Sequence, residues 1–301
     1  MSQVNPDTTT PANAWLLAAR PKTLPAAVAP VVVGSAMAYV HDHLAFWPAM
    51  ACLAVALLLQ VGVNLANNYF DFTKGVDTED RLGPVRVTQS GLIPPGRVKA
   101  AMTTVFVLSL LPGIFLINIG GWPVVVIGGA SIVAALAYSG GPFPLASHGL
   151  GDLFVFIFFG PVAVCGTYYV QALHLTSMTL LMGIIVGLMI TAILVVNNLR
   201  DMQTDQRAGK RTLAVIIGIR ATKLEYSLLH ASAYLLPTII WLGDMAAGFI
   251  LVPLLSLPLA VPLNRTIWKI SSGDELNRAL AGTARLALVF SLLLSLGLVL
   301  S

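Results

Sequence analysis

The chain has 301 residues, 57% of them hydrophobic and only 10% charged, with a mean hydropathy of +0.85. A soluble domain carries about 25% charged residues, so the composition excludes a soluble globular protein and describes an integral membrane protein. The formal charge of +4 does not point to nucleic acid, because the basic residues are few and spread over several loops. Each span of a bilayer consumes about 20 residues. The length therefore suits one polytopic all-α bundle, with residues 15–301 as a single transmembrane domain behind a polar, disordered tail of residues 1–14.

Taken in order, Trp15 to Thr23 (WLLAARPKT) is a short amphipathic lead-in. No basic n-region precedes the first apolar run and no small-residue cleavage site follows it, so that run is expected to stay as an anchor. Apolar segments follow near 24–40, 46–68, 99–118, 122–138, 150–171, 179–199, 223–242, 246–262 and 280–300, which predicts about nine transmembrane helices. Pro30, Pro112, Pro161, Pro237 and Pro253 fall inside them, as membrane helices tolerate when neighbours re-satisfy the freed carbonyls. The two cysteines, Cys52 and Cys165, both lie in apolar runs and read as small apolar residues, not a disulfide or a metal pair.

With nine spans, all 17 Lys and Arg fall in the N-terminal segment or in alternate loops. Arg20 and Lys22 precede the first helix; Lys74, Arg81, Arg86, Arg97 and Lys99 form the second group. Arg200 to Lys223 form the third, and Arg265, Lys269, Arg278 and Arg285 the fourth. The positive-inside rule then places the N-terminus and both acidic stretches in the cytoplasm and the C-terminus outside.

Those acidic stretches are the chemical signal. Asn64 to Asp80 reads NLANNYFDFTKGVDTED and closes one apolar run; Asn197 to Asp205 reads NNLRDMQTD and closes another. Asn67 and Asp71 recur as Asn197 and Asp201, and residues four apart share a helix face. Only 13 acidic residues exist in the chain, and six of them (Asp71, Asp77, Glu79, Asp80, Asp201, Asp205) lie here. Charge in or beside the bilayer is expensive, so carboxylates at helix ends facing a bundle are functional candidates. Asp71, Asp77, Asp201 and Asp205 are candidate ligands for Mg²⁺, which keeps waters and shares a phosphate-bearing substrate. Lys74, Arg86 and Lys210 beside them suit the remaining charge of a diphosphate.

Between the fourth and fifth helices, YSGGPFPLASHGLGD (138–152) carries no Lys or Arg. It reads as a Gly- and Pro-rich turn that could cap the cytoplasmic mouth, with Tyr138 near reacting groups. On the opposite face GTYYVQ (166–171) reads as an aromatic belt. No GxxxxGK[ST], HExxH or GxSxG motif is present.

On ARPKTLPAAVAPVVVGS (19–35), NLANNYFDFTKGVDTEDRLGPVRVTQSGLI (64–93), the 138–171 segment, NNLRDMQTDQRAGKRTLAVIIG (197–218) and LNRALAGTARL (276–286), the chain resembles the UbiA superfamily of intramembrane aromatic prenyltransferases. The resemblance implies nine helices around a central cavity open toward the cytoplasmic face of a bacterial inner membrane. It implies Mg²⁺, a polyprenyl diphosphate donor and an aromatic acceptor, 1,4-dihydroxy-2-naphthoate, whose prenylation with loss of CO₂ gives a demethylmenaquinone of menaquinone biosynthesis. The two Asp-rich motifs map onto Asn67, Asp71 and Asp77, and onto Asn197, Asp201 and Asp205, with Asp71, Asp201 and Tyr138 as the catalytic candidates. Asn68 stands where the family usually has Asp, which removes one anionic ligand. Arg20 or Lys22 is expected to hold the acceptor carboxylate. The prenyl tail is expected to lie among apolar helices or to open to membrane lipid. Two other readings stay open: a different acceptor such as 4-hydroxybenzoate, and a secondary transporter, against which the carboxylates sit at helix ends and not at the midplane.

Overall fold

The computed structural model describes residues 10–76, 83, 85–269 and 273–301. Among the described residues the chain is helical throughout, with no strand beyond one isolated bridge between residues 148 and 211. Residues 1–9 of the expected tail lie outside the described residues. From Pro11 the chain is already helical: α1 runs Pro11–Ala19, its start fixed by Thr10 accepting the Asn13 N–H and by Pro at the first position.

A 3₁₀ turn, Pro21–Thr23, joins α1 to α2 (Pro25–Val40), and the two helices meet at a bend of 47°. Then follow α3 (Phe46–Thr73), α4 (Pro95–Gly120) and α5 (Trp122–Ser139). The next span is compound: α6 (Gly151–Ile157), a π-helical turn (Phe158–Val162) and α7 (Ala163–Ala172). After it come α8 (Ser177–Arg207), α9 (Leu213–Leu242), a 3₁₀ run Gly248–Ser256 continuing into α10 (Leu257–Lys269), and α11 (Gly273–Leu300).

Seven helices are long and apolar enough to cross a membrane, and an eighth span results if the bent α1–α2 pair counts as one. The difference from nine lies in the 223–242 segment. It forms the membrane-ward part of α9, broken from the rest at Gly218 (φ +79°), and its Lys223, Glu225 and His230 keep it less apolar than the others.

Two packed clusters organise the bundle. One gathers Val33, Met37, Val164, Met182, Val186, Met189, Phe290 and Leu294 from α2, α7, α8 and α11. The other gathers Leu65, Ala66, Val98, Met102, Phe106 and Ala135 from α3, α4 and α5. Helix α8 is the innermost span, with 67% of its apolar window buried against 11% for α5; a helix that is apolar all round belongs in the core. It approaches the π turn through glycines: a Cβ on Gly183 would sit 2.8 Å from Pro161, and one on Gly187 would sit 2.8 Å from the Phe156 carbonyl. That contact turns Phe158, Phe159 and Val162 toward the space between the clusters.

The two acidic helices stop by the same device. At the end of α3, the Val76 N–H reaches back to the Asp71 carbonyl (2.9 Å) and the Gly75 N–H to Phe72 (3.0 Å), with Gly75 at φ +64°. At the end of α8, Lys210 N–H bonds Asp205 (2.8 Å) and Gly209 N–H bonds Gln206 (3.2 Å), with Gly209 at φ +75°. Both are Schellman closures, which require a left-handed residue and therefore favour glycine.

Candidate active site

A cavity of about 920 Å³ opens between the two clusters, walled by α2, α3, α4, α5, the α6–α7 span, α8 and α11. On α3 its lining runs from Cys52 to Asn67, about 22 Å at 1.5 Å per residue. Most of the wall is apolar. Its polar end carries Arg20, Lys22, Asn64, Asn67, Tyr138, Asn197 and Asn277. The sequence-predicted residues thus divide into a set that faces the cavity (Arg20, Lys22, Asn67, Tyr138, Asn197) and a charged layer one helical turn beyond it.

In that layer Asp71 is buried, and one oxygen, Oδ2, accepts from Arg86 Nη2 at 2.9 Å and pairs with Lys210 Nζ at 3.3 Å. Lys210 comes from the segment after α8, so it ties the two acidic stretches together. Asp201 is also buried, but its partner is its own neighbour: Arg200 Nε donates to Oδ1 at 2.7 Å and Nη2 to Oδ2 at 2.6 Å, a bidentate clamp. The same guanidinium donates from Nη2 to Asn197 Oδ1 (2.9 Å) and from Nη1 to Asn277 Oδ1 on α11 (3.0 Å). Neither Arg200 nor Asn277 was singled out from sequence. The only signal was Arg200 sitting inside an acidic motif, where a positive charge suggests a built-in counterion.

Lys74 stands apart from this ion-pair set. Its ammonium donates to the carbonyls of Ser139 (2.8 Å) and Gly141 (3.0 Å), which pins the end of α3 to the loop after α5. Partial desolvation pulls its pKa down, nearby Asp71 pulls it up, and Lys210 pushes it down again. Asp205 is half-buried on the last turns of α8. Asp77, Glu79 and Asp80 lie outside the described residues. Asn68 does not face the cavity: it is buried, and its amide donates back to the Asn64 carbonyl of its own helix at 2.8 Å.

Tyr138 lines the cavity within the fields of Asp152, Asp71, Asp205 and Arg20. The 140–150 loop lies over the same end, held by the Arg211 N–H donating to the Ser147 carbonyl at 3.1 Å. The kink that brings Arg20 to the cavity is locked from α3. Arg20 is left-handed (φ 53°), its carbonyl accepts from Thr23 Oγ1 (2.9 Å), and that oxygen accepts from Gln60 Nε2 and Asn64 Nδ2, each at 3.0 Å. Asn64 Nδ2 also reaches the Ala19 carbonyl at 2.9 Å.

At the far face the aromatic-belt reading of 166–171 needs correcting. Tyr168 is fully buried, its hydroxyl bridging His41 Nδ1 (2.8 Å) and His174 Nε2 (3.1 Å), and Tyr169 donates to the Gly120 carbonyl at 3.1 Å. Exposed aromatics at that end include Tyr39, Phe46, Trp47 and Trp122.

Among the described residues no three His, Cys, Asp or Glu side chains form a preformed metal cage. Mg²⁺ takes oxygen ligands and is bound through one or two carboxylates plus substrate phosphates. The two buried carboxylates present only oxygen donors, and each is already compensated by positive charge. The donor set fits the ion.

A bundle of this shape, with acidic helix ends above an apolar cavity, is an intramembrane prenyltransferase scaffold, and the chain belongs to the UbiA prenyltransferase family, which it matches over residues 27–298. It is 40% identical to a 1,4-dihydroxy-2-naphthoate octaprenyltransferase of Mycobacterium tuberculosis, over 92% of this chain and 94% of that one. It is 37% identical to the protein of the same name in Escherichia coli, over 96% of each. Its fold is shared with a UbiA homolog from Archaeoglobus fulgidus solved with GPP and Mg²⁺, at a TM-score of 0.65, 15% identity and coverage of 94% and 99% of the two chains.

Proposed function

We propose that this chain transfers a polyprenyl group from a polyprenyl diphosphate to 1,4-dihydroxy-2-naphthoate, releasing CO₂ and diphosphate and giving a demethylmenaquinol, the hydroquinone form of a demethylmenaquinone. The observation that carries the reading is the layering of the site: carboxylates and cations from α3, α8 and their loops sit directly above an apolar cavity inside a membrane bundle. A prenyl diphosphate has the same polarity, a polyanionic head on a hydrocarbon tail. The relatives named for the naphthoate acceptor supply the second substrate.

In this reading Arg86 and Lys210 neutralise the diphosphate, and Asp71, Asp201, Asp77 and Asp205 hold Mg²⁺. When bound, that ion stabilises charge on the departing diphosphate oxygens. The C1–O bond breaks with its electron pair on oxygen. The ring carbon bearing the carboxylate captures the allylic carbon, and loss of CO₂ returns the C–C electron pair to the ring, so no oxidant or added proton is needed. Arg20, with Lys22 beside it, holds the acceptor carboxylate, and Tyr138 lies against the ring. The mostly apolar wall of the cavity offers water few partners, which protects the allylic cation from hydrolysis. The site faces the cytoplasm of a bacterial inner membrane, with the N-terminus on that side and the C-terminus on the other; reporter fusions to the two ends test this, and both ends on one side would overturn it.

The functional test is product analysis of purified protein given an allylic prenyl diphosphate, Mg²⁺, and dihydroxynaphthoate and 4-hydroxybenzoate in competition. Prenylated naphthohydroquinone is the expected product. Faster prenylation of hydroxybenzoate would overturn the acceptor, and absence of diphosphate release would overturn the reaction.

A further inference from the structure

Resting on that reading, we infer that Asn64 is a specificity-determining residue for the acceptor. Its Oδ1 accepts the hydroxyl beside the ring carbon that bears the carboxylate, so that Asn64 and Arg20 together select an ortho-hydroxy acid. The polarity of Asn64 is fixed by chemistry. Its Nδ2 lies 2.9 Å from the Ala19 carbonyl and 3.0 Å from Thr23 Oγ1. A carbonyl only accepts, so the atom facing Ala19 is the NH₂ group. Thr23 gives its one proton to the Arg20 carbonyl at 2.9 Å, so towards Asn64 its oxygen is an acceptor as well. Both amide hydrogens are therefore in use. What remains is Oδ1, a pure acceptor with no hydrogen-bond partner among the described residues, on a residue that is buried and lines the cavity. Gln60, one turn back, is set the same way: its Nε2 donates to Thr23 at 3.0 Å, and its Oε1 is buried without a partner.

An unfilled acceptor needs a ligand that donates, and the reactants narrow the choice. The ionised diphosphate, the prenyl chain and the acceptor carboxylate have no hydrogen to give; the ring hydroxyls do. Position excludes the metal, because Asn64 precedes Asp71 by two helical turns, about 10 Å along the axis. Position also selects the hydroxyl. The Asn64 amide holds the turn from which Arg20 lines the cavity. A cation and an acceptor oxygen thus stand side by side, the complement of a carboxylate and a hydroxyl on adjacent ring carbons. 1,4-Dihydroxy-2-naphthoate has that pair. In 4-hydroxybenzoate the hydroxyl lies across the ring from the carboxylate, out of reach of Asn64 while Arg20 holds the acid. During the reaction the hydroxyl oxygen pushes electron density into the ring as the adjacent carbon captures the allylic carbon. Its proton becomes more positive, so the bond to Oδ1 strengthens in the transition state. Loss of CO₂ returns the electron pair to the ring, and the O–H bond is kept throughout.

The test compares two probes, 1-hydroxy-2-naphthoate and 2-naphthoate, which differ only in that hydroxyl. Their binding is measured by calorimetry on purified protein loaded with Mg²⁺ and geranyl S-thiolodiphosphate, an unreactive analogue of the donor. The wild type is expected to bind the hydroxy acid about tenfold more tightly, and Asn64→Ala should bring that ratio close to one. Thr23→Val is the control: it breaks the same lock but leaves Asn64 Oδ1 in place. It should weaken both probes alike and keep the ratio. A wild-type ratio near one overturns the inference, and that measurement needs no variant to fold. A ratio that survives Asn64→Ala also overturns it, and so does a ratio lost equally in Thr23→Val, which would make Asn64 a brace for Arg20 and nothing more. An Asn64→Ala effect confined to the thiolodiphosphate would assign the residue to the donor and overturn it likewise. If the wild type releases no diphosphate with any aromatic acceptor, the proposed function fails and takes this inference with it; a working wild type with no hydroxyl preference sinks this inference alone.

Discussion

The ends of α3 and α8 carry the same Asn–Asp pair and the same glycine closure, yet they solve the problem of a buried carboxylate differently. Asp71 lies on the turn that the Schellman motif closes, so α3 stops there and its counterions must come from elsewhere: Arg86 from the following segment and Lys210 from beyond α8. Helix α8 runs one turn further before Gly209 closes it on Asp205. Asp201 therefore sits inside regular helix, flanked by Arg200, which clamps it from the adjacent position. The second site is preorganised within one helix and braced to α11, whereas the first exists only when three separate segments have come together. One turn of helix decides which.

The largest effects should come from the two aspartates. Asp71→Asn and Asp201→Asn are each expected to abolish turnover, but they should differ in stability. Arg200 has no exposed side-chain surface, and breaking a buried pair costs about 3–5 kcal/mol, so Asp201→Asn should lower the thermal midpoint in detergent clearly. Asp71→Asn also leaves a buried cation, Arg86, facing a neutral amide, but its second cation, Lys210, is partly exposed and can turn to water, so the loss should be smaller. Equal midpoints for the two variants would refute the contrast.

Next in size is the bridge between the sites. Lys210→Ala removes the one described ion pair that joins the second stretch to the first, and a charge-assisted contact of this kind is worth about 1.5–3 kcal/mol. Diphosphate KM should rise by roughly ten- to a hundred-fold with little change in the acceptor KM. A rise confined to the acceptor would place Lys210 in the wrong subsite. Arg20→Ala should show the mirror image, raising the acceptor KM by roughly the same factor and leaving the diphosphate KM nearly unchanged. Steady-state kinetics with each substrate varied in turn read both.

The smallest effect tests the shared closure. A Cβ on Gly75 or Gly209 would meet nothing within 4 Å, so Gly→Ala at either position adds only left-handed backbone strain, about 1–2 kcal/mol. Both variants should fold and lose a similar few degrees of thermal midpoint. Marked loss at one site alone would mean that the two helix ends are not built alike.

Much of this was legible before any coordinates. Apolar runs near 46–68, 99–118, 122–138, 150–171 and 179–199 became helices at those places, because a bilayer leaves a long apolar segment no other way to satisfy its backbone. Counting spans was less secure. Lys223, Glu225 and His230 dilute one segment, and a kink at Arg20 bends another. Within the site, four-residue spacing correctly put Asn67 with Asp71 and Asn197 with Asp201, since helix geometry is local. It could not show that Asn68 folds back on its own helix, or that Lys74 serves two backbone carbonyls. Nor could it show Gln60 and Asn64 locking Arg20 in a left-handed turn.

What the sequence by itself determined is therefore everything set by composition and by repeats shorter than a few turns: the membrane class, the positions of most helices, and the two acidic helix ends. Only the tertiary structure decided which cation meets which carboxylate and which partner each asparagine oxygen takes. Those choices depend on segments far apart in the chain arriving at one place, and side-chain polarity is fixed by whichever donor arrives there.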